Sequence, residues 1–140
     1  MKLTEQVLKL HNGINEVFIL EESGGQFNVT EKSTRHESSK SPDGIDATER
    51  KVTLAPAVIL GAAAQFDEKP ESLKLVGILY QHEGIMLSYL DESKLLEICT
   101  DPSSLCDAMR SVNELLPNLI KEHYLGRKAT YAVESAAKAE

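Results

Sequence analysis

Between Leu54 and Phe66 the chain reads LAPAVILGAAAQF, a segment without a single charge. Thr53 is placed to cap a helix here, Pro56 falls in its first turn, where a missing N–H costs little, and the helix is expected to continue through Asp67. At about 100° per residue, Leu54, Val58, Ile59, Ala62 and Phe66 form one apolar side. Ala57, Leu60, Gly61, Ala63 and Ala64 populate the other. A helix apolar on both sides must be covered on both sides. Gly61 and the alanines permit close backbone approach, so one side is expected against the domain's own sheet and the other against a second subunit or partner.

What could cover the first side follows from the flanking runs. Leu73–Tyr80 (LKLVGILY), Ile85–Leu90 (IMLSYL) and Leu95–Thr100 (LLEICT) have strand length and are separated by His82-Glu83-Gly84 and Asp91-Glu92-Ser93. They predict an antiparallel meander. In the first run Leu73, Leu75 and Leu79 share one parity while Val76 and Ile78 share the other, which predicts a sheet covered on both faces. Upstream, Val17–Glu22 (VFILEE), the Ser23-Gly24-Gly25 turn and the alternating Phe27 and Val29 predict a β-hairpin. Leu3, Val7, Leu10 and Ile14 recur at helical spacing, giving a helix over 3–12 capped by Thr4 and ended by Gly13.

Asp101-Pro102 signals the start of a last helix, whose apolar stripe is Leu105, Met109, Val112, Leu116, Leu119, Ile120 and Tyr124. Pro117 should kink this helix rather than end it, because the stripe stays in phase beyond it, and Gly126 is the expected stop. Residues 32–51 contain one large aliphatic side chain, Ile45, and read as a flexible polar loop. The expected organisation is one domain over 1–125, with that loop inside it, and a tail over 126–140. The class is α/β, an α+β sandwich ordered α-β-β-α-β-β-β-α. Its five antiparallel strands lie between the central helix on one face and the terminal helices on the other.

Composition excludes several partners. The chain carries 15 Lys and Arg against 22 Asp and Glu, a formal charge of −7, which argues against nucleic acid and anionic lipid. No window has the ~18 to 20 apolar residues of a membrane span, and no signal peptide is visible, so a cytoplasmic protein is expected. Cys99 and Cys106 lack the paired spacing of a zinc or redox motif and are expected as buried thiols. His11, His36, His82 and His123 show no ligand pair at i, i+4, so no metal site is expected, and Asn28-Val29-Thr30 matches a glycosylation acceptor only by coincidence. No Walker or dinucleotide motif occurs, so no cofactor is expected. An enzyme using Cys99 or Cys106 with a histidine is a distinct reading, but buried structural cysteine is commoner, and no catalytic residue is assigned.

The element order, the helix LAPAVILGAAAQF and the strand sequence LVGILYQHEGIMLSYLDESKLLEICTDP together resemble the Roadblock family of dynein light chains, Ragulator subunits and prokaryotic GTPase regulators, over residues 3–124. The resemblance implies a profilin-like fold, a homodimer or a heterodimer with a paralogue, and a helix-pair platform for a small Ras-like GTPase. The alternative it leaves is a structural light chain or scaffold subunit of a motor or trafficking complex, indifferent to nucleotide state. It places the dimer interface at Ala57, Leu60, Gly61 and Ala64 of the helix and at Leu73, Leu75, Gly77 and Leu79 of the pairing strand. Stimulation of hydrolysis would proceed by ordering the GTPase's own residues, with Arg35 and Arg50 of the loop the arginines left open for a direct role.

Overall fold

The computed structural model describes residues 1–24, 26–35, 57–66, 69 and 74–139, with side chains through residue 123. Helix α1 is Leu3–Leu8, followed by strands β1 (Ile14–Ser23) and β2 (Gln26–Thr34). Residues 57–65 form helix α2. Strands β3 (Val76–Leu79), β4 (Gly84–Tyr89) and β5 (Lys94–Thr100) come next, then a 3-10 turn at Pro102–Ser104 that leads into α3 (Leu105–Ala139). The strands form one antiparallel sheet in the order β2-β1-β5-β4-β3, so β2 and β3 are its edges.

The β1–β2 hairpin closes with Ser23 opposite Gln26, and Gly24 supplies the positive φ of 60° that so short a loop demands. Ile19 pairs with Glu31 while Leu20 pairs with Val29, which leaves Thr30 as a bulge whose hydroxyl donates to the Ile19 carbonyl. At a second irregularity, Asn15 donates its side-chain Nδ2 to Asp101 Oδ1 at 2.9 Å, tying the start of β1 to the residue that follows β5.

Two apolar layers flank the sheet. On one face Leu3 and Val7 of α1 and Leu105, Ala108, Val112 and Leu116 of α3 pack with Ile14, Val17, Ile19, Met86, Leu96 and Ile98. On the other, Ile59 of α2 packs with Phe18, Leu20, Ile85, Leu87, Leu95 and Cys99. Neighbouring residues of β1, β4 and β5 therefore enter opposite layers, which explains why their runs are apolar at both parities. The five-stranded antiparallel sheet with α2 on one side and the terminal helices on the other is the architecture the sequence predicts.

Several boundaries differ from the sequence reading. Helix α1 stops at Leu8 rather than residue 12, because Arg35 takes the carbonyls of Leu8 and His11, and Gly13 N–H donates to His11 Nδ1 at 2.9 Å. Ile14 consequently belongs to β1. Thr4 is not the cap: it sits inside the helix, fully buried, with its N–H donating to Glu31 Oε2 at 2.9 Å and its Oγ1 2.7 Å from Ser33 Oγ. Residues 32–34, expected as loop, pair with β1 as part of β2. Strand β3 begins at Val76, and α3, which continues past Pro117 as expected, also runs through the expected stop at Gly126. Residues 36–51 of the expected loop, the cap at Thr53, Pro56 and Asp67 lie outside the described residues.

Candidate functional site

Among the described residues, the outer side of α2 is an exposed apolar surface. Ile59 and Ala63 are buried against the sheet at 1% and 2% exposure, Val58 and Ala62 are half-buried, and Ala57, Leu60, Gly61 and Ala64 are exposed. Leu60 is 58% exposed although it is a large aliphatic residue. Residues 57–66 contain no ionisable side chain, so this face offers van der Waals contact and little else.

Two residues change sides relative to the sequence reading. Ala63, expected outward, is buried, because it lies one turn beyond Ile59 on the same stripe. Phe66, expected inward, is 74% exposed, because the helix has ended at Gln65 and Phe66 N–H bonds to the Ala63 carbonyl in a tighter i−3 turn that carries the ring off the stripe.

Strand β3 supplies the second part of the surface. It pairs with β4 through Val76↔Leu87 to Leu79↔Gly84, and its other edge meets no strand among the described residues. Leu79 and Tyr80 at its end are 65% and 44% exposed. Val76 and Ile78 pack into the α2-side layer, whereas Leu75 packs into the α3-side layer. Gly77 backs directly onto Met109 of α3: a Cβ there would lie 2.4 Å from its sulfur. Of the strand residues assigned by resemblance, Gly77 and Leu79 are exposed, Leu75 is half-buried, and Leu73 lies outside the described residues. Leu75 and Gly77 face away from α2, so helix and strand residues join one surface only across the open edge.

Under α2 the structure places a residue that sequence reasoning passed over. Glu97 is 1% exposed and lies in the ladder between Phe18 of β1 and Leu87 of β4, on the α2 side. Beyond Phe18 the row continues to Lys32, whose Nζ stands 5.4 Å from the Phe18 ring centroid, within cation–π range. An acidic residue in a run apolar at both parities was the available signal.

The remaining candidates resolve individually. Arg35 is committed to structure: Nε donates to the Ile14 carbonyl at 2.9 Å, and Nη2 donates to the carbonyls of Leu8 and His11 at 2.5 and 3.1 Å. It is therefore not an arginine held ready for a partner's active site, and Arg50 lies outside the described residues. Cys99 is buried as expected, but Cys106 is exposed, because it falls on the outer side of the first turn of α3. His36 lies outside the described residues, and among those described no three His, Cys, Asp or Glu side chains form a metal-binding group. Asp91 Oδ1 accepts from Ser93 N–H at 2.8 Å, Ser93 Oγ at 3.1 Å and Lys94 N–H at 2.9 Å, so the acidic turn serves its own geometry. No described helix is long and apolar enough to cross a membrane.

The sequence matches no family model and no curated protein. The fold, by contrast, matches solved structures along most of its length. The gliding protein MglB from Thermus thermophilus superposes with a TM-score of 0.58 at 15% identity, covering 86% of this chain and 87% of that one. MglB in a tetrameric arrangement gives 0.56 at 15% identity, covering 86% of each chain. A Roadblock/LC7 domain from Streptomyces avermitilis gives 0.51 at 14% identity, covering 81% of this chain and 94% of that one. The chain has the Roadblock/LC7 fold.

Proposed function

We propose that the protein is a non-catalytic dimeric adaptor whose paired α2 helices and joined β3 edges form a platform for a small Ras-like GTPase. The observation that carries this reading is the uncharged, exposed side of α2, with Leu60 at its centre, set beside a sheet edge that ends in exposed Leu79. Pairing of two β3 edges would satisfy backbone groups that otherwise face water, and it would bring two α2 helices together where Gly61 and the alanines allow close approach. The tetrameric arrangement of a neighbour with the same fold supports self-association as a use of it. The GTPase enters through the family the sequence resembles.

Light scattering over a dilution series tests the dimer. Wild type should have a mass near twice 15.4 kDa, and Leu60→Glu should lower it, since a desolvated contact is weakened by roughly 2 kcal/mol or more when it must bury a charge. A wild-type monomer at all concentrations, or an undiminished mass in the variant, would reject this interface. The GTPase is tested separately, by hydrolysis and nucleotide exchange of a candidate partner with and without the dimer. Binding that leaves both rates unchanged and ignores the bound nucleotide would assign the protein to a scaffold role instead.

A further inference from the structure

On the face of the sheet opposite α2, a cavity of about 310 Å³ opens between α3 and the splayed start of β3. Its apolar lining comes from Leu75, Val112, Leu116 and Ile120. Two local departures from regular structure create it. The β3–β4 ladder ends at Val76↔Leu87, and beyond that point a side chain takes over the link, Ser88 Oγ donating to the Lys74 carbonyl at 2.6 Å, so the chain leaves the sheet at Leu75. Across the gap, Pro117 lies within α3 and has no N–H to give the Asn113 carbonyl the bond that residue i+4 normally supplies. Asn113 and Pro117 both line the cavity, as does Lys74.

The size matches the lower range of small-ligand sites, and so does the lining, mostly apolar with a few polar groups. Among the described lining residues Lys74 is the one cation, and it is exposed within a chain of net charge −7. We infer that this cavity is a binding site for a small amphipathic monocarboxylate, its apolar body against Val112, Leu116 and Ile120 and its carboxylate met by Lys74 and the Asn113 amide. A phosphate ester would bring more charge than a single lysine balances. The site lies away from the outer face of α2, so the inference stands apart from the platform proposed above.

The test is a ¹H–¹⁵N titration of the full chain with sodium octanoate, and in parallel with 1-octanol. Octanoate should shift the amides of Leu75, Ser88, Asn113 and Ile120 saturably and leave residues 57–65 unmoved. Lys74→Ala should weaken octanoate about two- to fivefold, the worth of one exposed charge pair, and leave octanol binding unchanged. Leu116→Trp, which fills the cavity, should abolish both; should it fail to fold, the exposed Lys74→Ala variant decides alone. Shifts that do not saturate, shifts centred on α2, or equal weakening of acid and alcohol by Lys74→Ala would each overturn the assignment.

Discussion

Arg35 Nη2 donates to the carbonyl of Leu8, the last residue of α1, across 27 positions of sequence. The same guanidinium reaches His11 and Ile14, so one side chain at the end of β2 holds the three carbonyls that carry the chain from helix to first strand. A helix of six residues has too few internal bonds to persist alone and depends on such outside partners. Arg35→Ala should therefore destabilise the fold by about 1 to 3 kcal/mol in urea denaturation, the range for hydrogen bonds to a charged donor. Arg35→Lys should recover only part of this, since an ammonium lacks the planar fork that serves several acceptors at once. A loss below about 0.5 kcal/mol in the alanine variant would show the contacts to be incidental.

Gly61 separates what is good for α2 alone from what is good for a pair of α2 helices. A Cβ at this position meets nothing within 4 Å, and the residue is exposed. In an isolated chain Gly61→Ala should therefore stabilise by about 0.5 to 1 kcal/mol, through helix propensity. If two helices pack closely at Gly61, the added methyl separates them and the dimer dissociates at higher concentration. The expected outcome is both together: a higher melting temperature at the monomeric limit and a weaker dimer by light scattering. A variant that is stabilised and associates as tightly as wild type would place the helix contact elsewhere.

The layers, the strand order along the meander and the identity of the two covered faces were legible because burial on both faces imprints itself on sequence as apolar residues at both parities. What was not legible depended on contacts distant in sequence. Thr4 has the chemistry of a helix cap, but Ser33 and Glu31 of β2 claim its hydroxyl and N–H, and nothing local to residue 4 foretells that. Arg35 looked like a loop residue because the surrounding segment is polar, whereas its role is set by carbonyls 21 to 27 positions earlier. Phe66 was assigned by ideal helical angle, and the helix ended one residue too soon for the angle to apply. At the candidate site, the exposed α2 residues were readable from the absence of charge. Which faces Leu75 and Gly77 occupy was set by the register of β3 on β4 and by the approach of Met109.

Two glycines in tight places should respond differently to the same substitution. At Gly13 a Cβ would lie 2.2 Å from Ser104 Cβ and 2.3 Å from its Oγ, and Asp101 N–H bonds to the Gly13 carbonyl, so neither side can readily give way. At Gly77 the obstacle is the sulfur and terminal methyl of Met109, the far end of an unbranched side chain. Gly13→Ala should cost about 1 to 3 kcal/mol by overpacking, and Gly77→Ala should cost less than half of that. Chemical denaturation of the two variants side by side checks the order, and a reversed order would mean that Met109 has no alternative position.

Asp91 gives the fold a specific response to acid. Partial burial by itself raises its pKa, but the N–H and hydroxyl of Ser93, the N–H of Lys94 and the charge of Lys94 together outweigh it and hold the carboxyl below its ordinary value of 3.8. A carboxyl lowered in the folded state stabilises that state above the unfolded pKa, and the contribution is lost as pH falls through the folded value. Asp91→Asn keeps an acceptor oxygen for the same N–H groups but cannot titrate. The variant should be slightly less stable than wild type at neutral pH, by less than about 1 kcal/mol because the group is largely exposed, and the gap should narrow as pH falls below 3.8 and close once the folded carboxyl is protonated. Urea melts of both proteins at neutral and acid pH measure this. A gap that stays constant down to acid pH would mean that the turn, rather than the charge, supplies the difference.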